Sequence, residues 1–357
     1  MKAFRCQGCG HSLYFENTAC ESCGRRLGYL ARRQILSALD PAGEEWLALG
    51  ARGRAYRFCG NAEYGVCNWM ISASSKETLC AACRHNNFIP DLNVPGNVEL
   101  WRRLEIAKHR LFYSLLKLRF PLKNRAEDPQ HGLAFDFLGD DTASHGQRVM
   151  TGHDNGLITL ALREADDAER EKIRSEMGEP YRALLGHFRH ESGHYFWDRL
   201  VHDGGRLDEF RAMFGDERQD YAAALQAHYA NGPPADWQQN FASAYASAHP
   251  WEDFAETWAH YLHIVDTLET ARAFGVKTLP SPGRRFSLTR GIDFDPYEAR
   301  DIGHLIAAWL PLAFAVNSLN RSMGHTDLYP FVLTPHVIDK LGFVLGLAGA
   351  QQAENVS

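Results

Sequence analysis

The chain has 357 residues, 45% of them apolar and 23% charged, with 38 Lys and Arg against 44 Asp and Glu. This ordinary globular composition excludes collagen-like, low-complexity and disorder-dominated chains, and a net charge of −6 argues against a chain-wide nucleic-acid footprint. At roughly 100–200 residues per domain, two or three domains are expected.

The opening stretch Met1-Lys2-Ala3-Phe4-Arg5-Cys6 has no apolar leader region, and the longest apolar run, Leu305–Val316, is 12 residues with Pro311 inside it. Spanning a bilayer takes about 20. A cytoplasmic protein with no membrane partner is therefore expected. All eight cysteines lie between Cys6 and Cys83. In a long leaderless chain, cysteine pairs clustered in this way point to metal rather than disulfides.

Residues 1–33 hold the first cluster, Cys6-x2-Cys9-x10-Cys20-x2-Cys23. Two CxxC knuckles joined by a hairpin supply the four soft ligands that tetrahedral Zn²⁺ prefers. Gly10 and Gly24 each follow the second cysteine of a knuckle, where the backbone commonly turns with positive φ. Residues 34–93 form a second cysteine-rich module with Cys59-x7-Cys67-x12-Cys80-x2-Cys83, in which only one half is a true CxxC. These four are expected to hold a second structural zinc, with His85 as a substitute candidate. Closed four-thiolate sites have no open coordination position and contribute folding energy rather than chemistry. Up to residue 60, nine basic residues against five acidic ones leave +4, with Tyr14, Phe15 and Tyr29 nearby. A solvated face or a protein contact is favoured there over nucleic acid.

After the turn-forming stretch 90–96, Leu100, Leu104, Ile106, Ala107, Leu111, Leu115 and Leu116 predict a helix over 98–118, opening a C-terminal domain over 94–357. Short strands are predicted at 133–137 and 157–162, the second following the turn 152–156. Helices are predicted over about 167–202, with a break near Gly178-Glu179-Pro180, and over 208–231, 237–248, 251–274, 297–319 and 335–347. The fold class is α+β: zinc-ribbon β modules, then a mainly helical domain with a small sheet.

The motif that carries chemistry is His190-Glu191-Ser192-Gly193-His194. Residues four apart on a helix share a face, so His190 and His194 can present two imidazoles to one metal. Glu191 then stands beside them as a base for a water held by that metal. A catalytic zinc needs a third protein ligand and an open position. The extended HExxHxxGxxH pattern would demand Gly at 197 and His at 200, where this chain has Trp197 and Leu200. A carboxylate from a later helix is the alternative. Glu252, Ala255, Glu256, Ala259 and His263 share one helical face, and its alanines permit close approach to the HExxH helix. Glu252 is favoured as the ligand and Glu256, one turn on, as the acceptor that orients His190 or His194. The reverse assignment stays open, and His249, His260 and His263 are weaker candidates.

HExxH followed much later by Glu252-Asp253-Phe254-Ala255-Glu256 resembles the gluzincin branch of zinc metallopeptidases, particularly lethal-factor-like zincins. The chain as a whole resembles a bacterial family of zinc-binding metallopeptidases with an N-terminal zinc-ribbon domain. That resemblance implies a zincin-like domain acting on a peptide or protein substrate, with one catalytic and one or two structural Zn²⁺. It implies His190, His194 and Glu252 as ligands, Glu191 as base and Tyr245 as the hydroxyl that stabilises the oxyanion. Asp253 departs from the toxin-like pattern, which has Phe there. The strand at 157–162 is expected to pair by its edge with substrate backbone. The competing expectation is a ribbon-based protein or nucleic-acid binder whose peptidase-like domain is inactive or regulated.

Overall fold

A computed structural model describes residues 1–140, 148–176, 179, 181–278 and 291–354. They form two compact units, one of residues 1–116 and 121–175, the other of 117–120 and 176–357.

In the first unit, strands β1 (Phe4–Arg5) and β2 (Ser12–Leu13) pair antiparallel around the Cys6–Cys9 knuckle. An antiparallel meander follows: β3 (Leu27–Leu30), β4 (Ile35–Ala42), β5 (Glu45–Ala48), β6 (Arg54–Phe58) and β7 (Met70–Ser72). Residue 33, the expected edge of the first module, falls in the turn between β3 and β4. One face buries Leu30, Leu39, Ala48, Ala51 and Met70. At Gly28 a Cβ would stand 2.4 Å from Met70 Sδ, so a larger residue there would have to displace the Met70 side chain. A second core is aromatic: Tyr29 lies 4.7 Å from Trp69 and 4.8 Å from Phe15, and Tyr113 lies 5.6 Å from Phe15. Phe15 and Tyr29 therefore belong to the interior, and of the three aromatics near the basic residues only Tyr14 is exposed, at 71%.

Helix α1 (Asn97–Lys117) matches the predicted apolar stripe. The small sheet has the order β10-β11-β9-β8, with β8 (Asn86–Phe88), β9 (Ala134–Leu138), β10 (Gly152–Asp154) and β11 (Leu157–Ala161). Strand β11 pairs antiparallel with β10 and parallel with β9, so both its edges are occupied. This corrects the expectation of edge pairing with substrate at 157–162: period-two alternation identifies a strand but not its place in a sheet. Helix α2 (Asp167–Glu176) follows. The helix break predicted near Gly178-Glu179-Pro180 involves residues 178 and 180, which lie outside the described residues.

The second unit is helical. Helix α3 (Leu184–Phe196) runs on into a π-helical turn, Trp197–His202. The predicted helix over 208–231 is two: α4 (Leu207–Phe214), ending at Gly215 with φ 104°, and α5 (Tyr221–Asn231), capped by Asp220 accepting from Ala223 N. The stretch 237–248 is reduced to α6 (Trp237–Asn240) and a 3-10 turn at Tyr245–Ala248. Long helices α7 (Pro250–Ala273), α8 (Ile302–Ser322) and α9 (Pro335–Glu354) complete the unit. Among the described residues α8 alone is long and apolar enough to cross a membrane by length and composition; Pro311 stands inside it and it packs on α7 and α9.

Candidate metal centres

The first four-cysteine cluster is built by two equivalent knuckles. Gly10 N donates to Cys6 O and Gly24 N to Cys20 O, each at 2.8 Å, with the glycines at φ 76° and 70°. Cys6 Sγ lies 3.6 Å from Cys23 Sγ and Cys9 Sγ 3.6 Å from Cys20 Sγ. A zinc–sulfur distance of about 2.3 Å puts tetrahedral sulfurs about 3.8 Å apart, so the donor set fits zinc.

The second cluster gathers Cys59, Cys67, Cys80 and Cys83, all buried. The long Cys59–Cys67 gap is taken up by a 3-10 turn at Gly60–Ala62, and Cys67 Sγ lies 3.8 Å from Cys80 Sγ. Backbone N–H groups of Cys80, Trp69 and Cys83 donate to Cys59, Cys67 and Cys80 sulfurs at 3.3–3.4 Å and fix their positions. His85 is not among the ligands: its Nδ1 bonds Leu133 O at 2.9 Å and its ring packs on Phe112. Its place beside the sulfurs is taken by a residue the sequence reading missed. His109 of α1 has Nε2 3.4 Å from Cys67 Sγ and 3.7 Å from Cys83 Sγ, next to the buried pair Glu105–Lys108. The signal was present as polar side chains at 105, 108 and 109 among the apolar positions of α1.

The third centre lies where α3 crosses α7. Gly193 makes the crossing close, since a Cβ there would stand 2.8 Å from Ala255 Cα. Trp258 Nε1 donates to Ser192 Oγ at 3.2 Å, and buried Arg189 reaches Asp266 Oδ2 at 2.7 Å and His263 Nδ1 at 2.5 Å. Phe196 stacks on Trp258 at 4.8 Å, with Phe120 5.0 Å from each. These contacts fix the helix faces that meet at the site.

There His190 Nε2 lies 3.0 Å from Glu252 Oε2, and His194 Nε2 lies 3.6 Å from Glu252 Oε1. One ligand atom from each of the three side chains lies within 4.8 Å of the other two, near enough for one zinc, whose bonds of about 2.1 Å give tetrahedral edges of about 3.4 Å and leave a fourth corner. Glu256 Oε1 lies 2.8 Å from His190 Nδ1, while its Oε2 accepts from Ser243 Oγ at 2.7 Å. Ser243 Oγ also accepts from Ala246 N, tying Glu256 to the turn that bears Tyr245. The Tyr245 ring stands 6.0 Å from that of His190. Glu252 is 1% exposed and its Oε1 also accepts from the Tyr221 hydroxyl at 2.6 Å. Tyr221 was missed in the sequence, because nothing in spacing links position 221 to position 252.

Burial and mutual contact shift these side chains away from their ordinary values. Burial raises the Glu191 carboxyl to about 7. Against the same burial, the imidazoles hold Glu252 far below the usual carboxylate range and Glu256 at about 2. Burial lowers His194 to about 4, whereas the two carboxylates hold His190 well above its ordinary value despite burial. A protonated His190 thus balances the buried carboxylates, a place that a metal cation can take instead.

Asp253, the departure from the toxin-like pattern, is turned away from this centre. Its Oδ2 pairs with Lys340 Nζ of α9 at 2.6 Å, and Lys340 also donates to Asn240 O at 2.7 Å. His249 caps α7 by accepting from Trp251 N, and His260 bonds Tyr329. With His263 on Arg189, none of the three weaker histidine candidates joins the metal donors.

A family described as "putative zinc-binding metallo-peptidase" matches residues 97–347, and a zinc-ribbon domain family matches residues 3–94. Uncharacterized proteins of Mycobacterium bovis and of two strains of Mycobacterium tuberculosis are each 43% identical over 347 residues, which is 96% of this chain and 94% of theirs. No solved structure matches.

Proposed function

The chain belongs to the zinc-binding metallo-peptidase family, and from that premise we propose that it hydrolyses peptide bonds at a zinc held by His190, His194 and Glu252. The observation that carries this reading is the convergence of those three donors, all within 4.8 Å of one another, beside the buried Glu191. When bound, zinc supplies Lewis acidity toward a substrate carbonyl and brings the pKa of water at its open position to about 7.

The remaining chemistry belongs to the chain's own side chains. Glu191 takes the proton of the attacking water on a carboxylate oxygen and passes it to the leaving amine. Tyr245 offers its hydroxyl to the developing oxyanion; burial keeps that phenol protonated and able to donate. Glu256 accepts the Nδ1 proton of His190, which leaves Nε2 free as a donor to the cation. Ser243 holds Glu256 in that orientation. The two four-cysteine centres have no open corner and serve the fold.

The test is digestion of a denatured-protein or peptide library by the metal-replete full chain. Cleavage that stops with chelator and returns with zinc is expected. A metal-replete chain that cleaves nothing in such libraries would count against the reading and favour a binding role for the ribbons.

A further inference from the structure

Helix α5 buries none of its eleven side chains and packs mainly against the 3-10 turn at 245–248. Its first residue nonetheless reaches one of the most deeply buried carboxylates of the unit, with the Tyr221 hydroxyl donating to Glu252 Oε1 at 2.6 Å. The phenol ring is fixed by two neighbours. It stands edge-on to His249 at 5.2 Å and tilted against Trp251 at 5.8 Å. His249 in turn accepts from Trp251 N through Nδ1, and its Nε2 lies 3.3 Å from Gln219 O. One imidazole thus joins the start of α7, which bears Glu252, to the chain two residues before Tyr221. Asp220 caps α5 from the other side, accepting from Ala223 N at 3.0 Å.

This arrangement makes the two oxygens of Glu252 inequivalent. Oε2 faces His190 at 3.0 Å and Oε1 faces His194 at 3.6 Å, so each oxygen lies beside one of the imidazoles that would share the cation. Carboxylates ligate metals through one oxygen or through two. Two-oxygen ligation at a zinc with two histidines completes four donors and takes the corner that water needs. The Tyr221 hydroxyl oxygen lies 2.6 Å from Oε1, and the proton it donates occupies that oxygen in competition with a metal. We propose that Tyr221 is a positioning residue that confines Glu252 to ligation through one oxygen and so keeps the water's coordination position open. The inference rests on the reading of His190, His194 and Glu252 as the ligands. The phenol keeps its proton throughout, and no bond is made or broken at it.

The test is Tyr221→Phe in the full chain, with cobalt(II) replacing zinc at the histidine centre and zinc kept in the cysteine centres. In the parent protein, the visible spectrum of the cobalt is expected to change with pH near neutrality as the coordinated water ionises. In the variant the cobalt is expected to remain bound, within about tenfold of the parent affinity, while that pH-dependent change disappears. If a peptide substrate is in hand, kcat is expected to fall at least about tenfold with KM little changed, the signature of a lost transition-state interaction. Tyr229→Phe, on the same helix with a ring 62% exposed, is expected to behave as the parent. A Tyr221→Phe protein that keeps the pH-dependent spectrum would overturn the inference about Tyr221. A parent protein that binds no cobalt outside its cysteines would overturn the ligand reading beneath it.

Discussion

Glu191→Gln is expected to leave the metal content unchanged and to lower turnover of any peptide substrate by about 10²–10⁴-fold, the usual contribution of a positioned general base. The substitution keeps the shape of the side chain, which is only 9% exposed, and none of its neighbours in the donor set is altered. What it removes is the capacity to take up a proton. That capacity is well matched to the task, since burial raises the Glu191 carboxyl to about 7, near the pH at which the reaction would run. Kinetics on the purified variant, paired with zinc analysis, check this. Undiminished hydrolysis would remove Glu191 from the mechanism, and loss of the metal would make it a ligand instead.

The second large effect concerns folding. Cys80→Ser is expected to release the zinc of the second cysteine cluster and to unfold the surrounding region of the first unit at ordinary temperature. Zinc binding to small structural sites is worth about 10–16 kcal/mol at neutral pH, comparable to or greater than the stability of a typical domain. Cys80 sits at the middle of the cluster. Its sulfur is 3.8 Å from that of Cys67, accepts the Cys83 N–H at 3.4 Å, and its own N–H donates to Cys59 at 3.3 Å. The consequence reaches beyond the ribbon strands, because His109 and Glu105 of α1 face the same sulfurs. Loss of one zinc equivalent and of slow amide exchange in α1 is expected. A variant with unchanged zinc and unchanged melting would show that the cluster is an ordinary buried core.

How far these centres could be read before the structure follows from the range of the interactions. The CxxC knuckles and the HExxH turn are local: the distance between Cys6 and Cys9, or between His190 and His194, is set by backbone geometry within a few residues. Glu252 and Glu256 were legible at one remove, because two acids on an alanine-lined face have few reasons to be there other than a charge opposite them. Gly193 opposite Ala255 supplies the close approach that this face implies. Tyr221 was not legible, since its contact is made by the course of a whole helix and leaves no periodic mark. The single helix expected over 208–231 overlooked signals that were present, for Gly215 ends α4 and Asp220 caps α5. The place of β11 between β10 and β9 depends on which strands pair across long connections, and alternation carries no information on that.

A cation gripped by one helical turn and by a carboxylate from another helix can be counted by metal analysis. The full chain purified without chelator is expected to carry three zinc equivalents, one for each of the two four-cysteine groups and one for His190, His194 and Glu252. A His190→Ala, His194→Ala double variant is expected to carry two with its fold intact. Two equivalents in both proteins would mean that the histidine centre holds no zinc and that the metal sits in the cysteine centres alone.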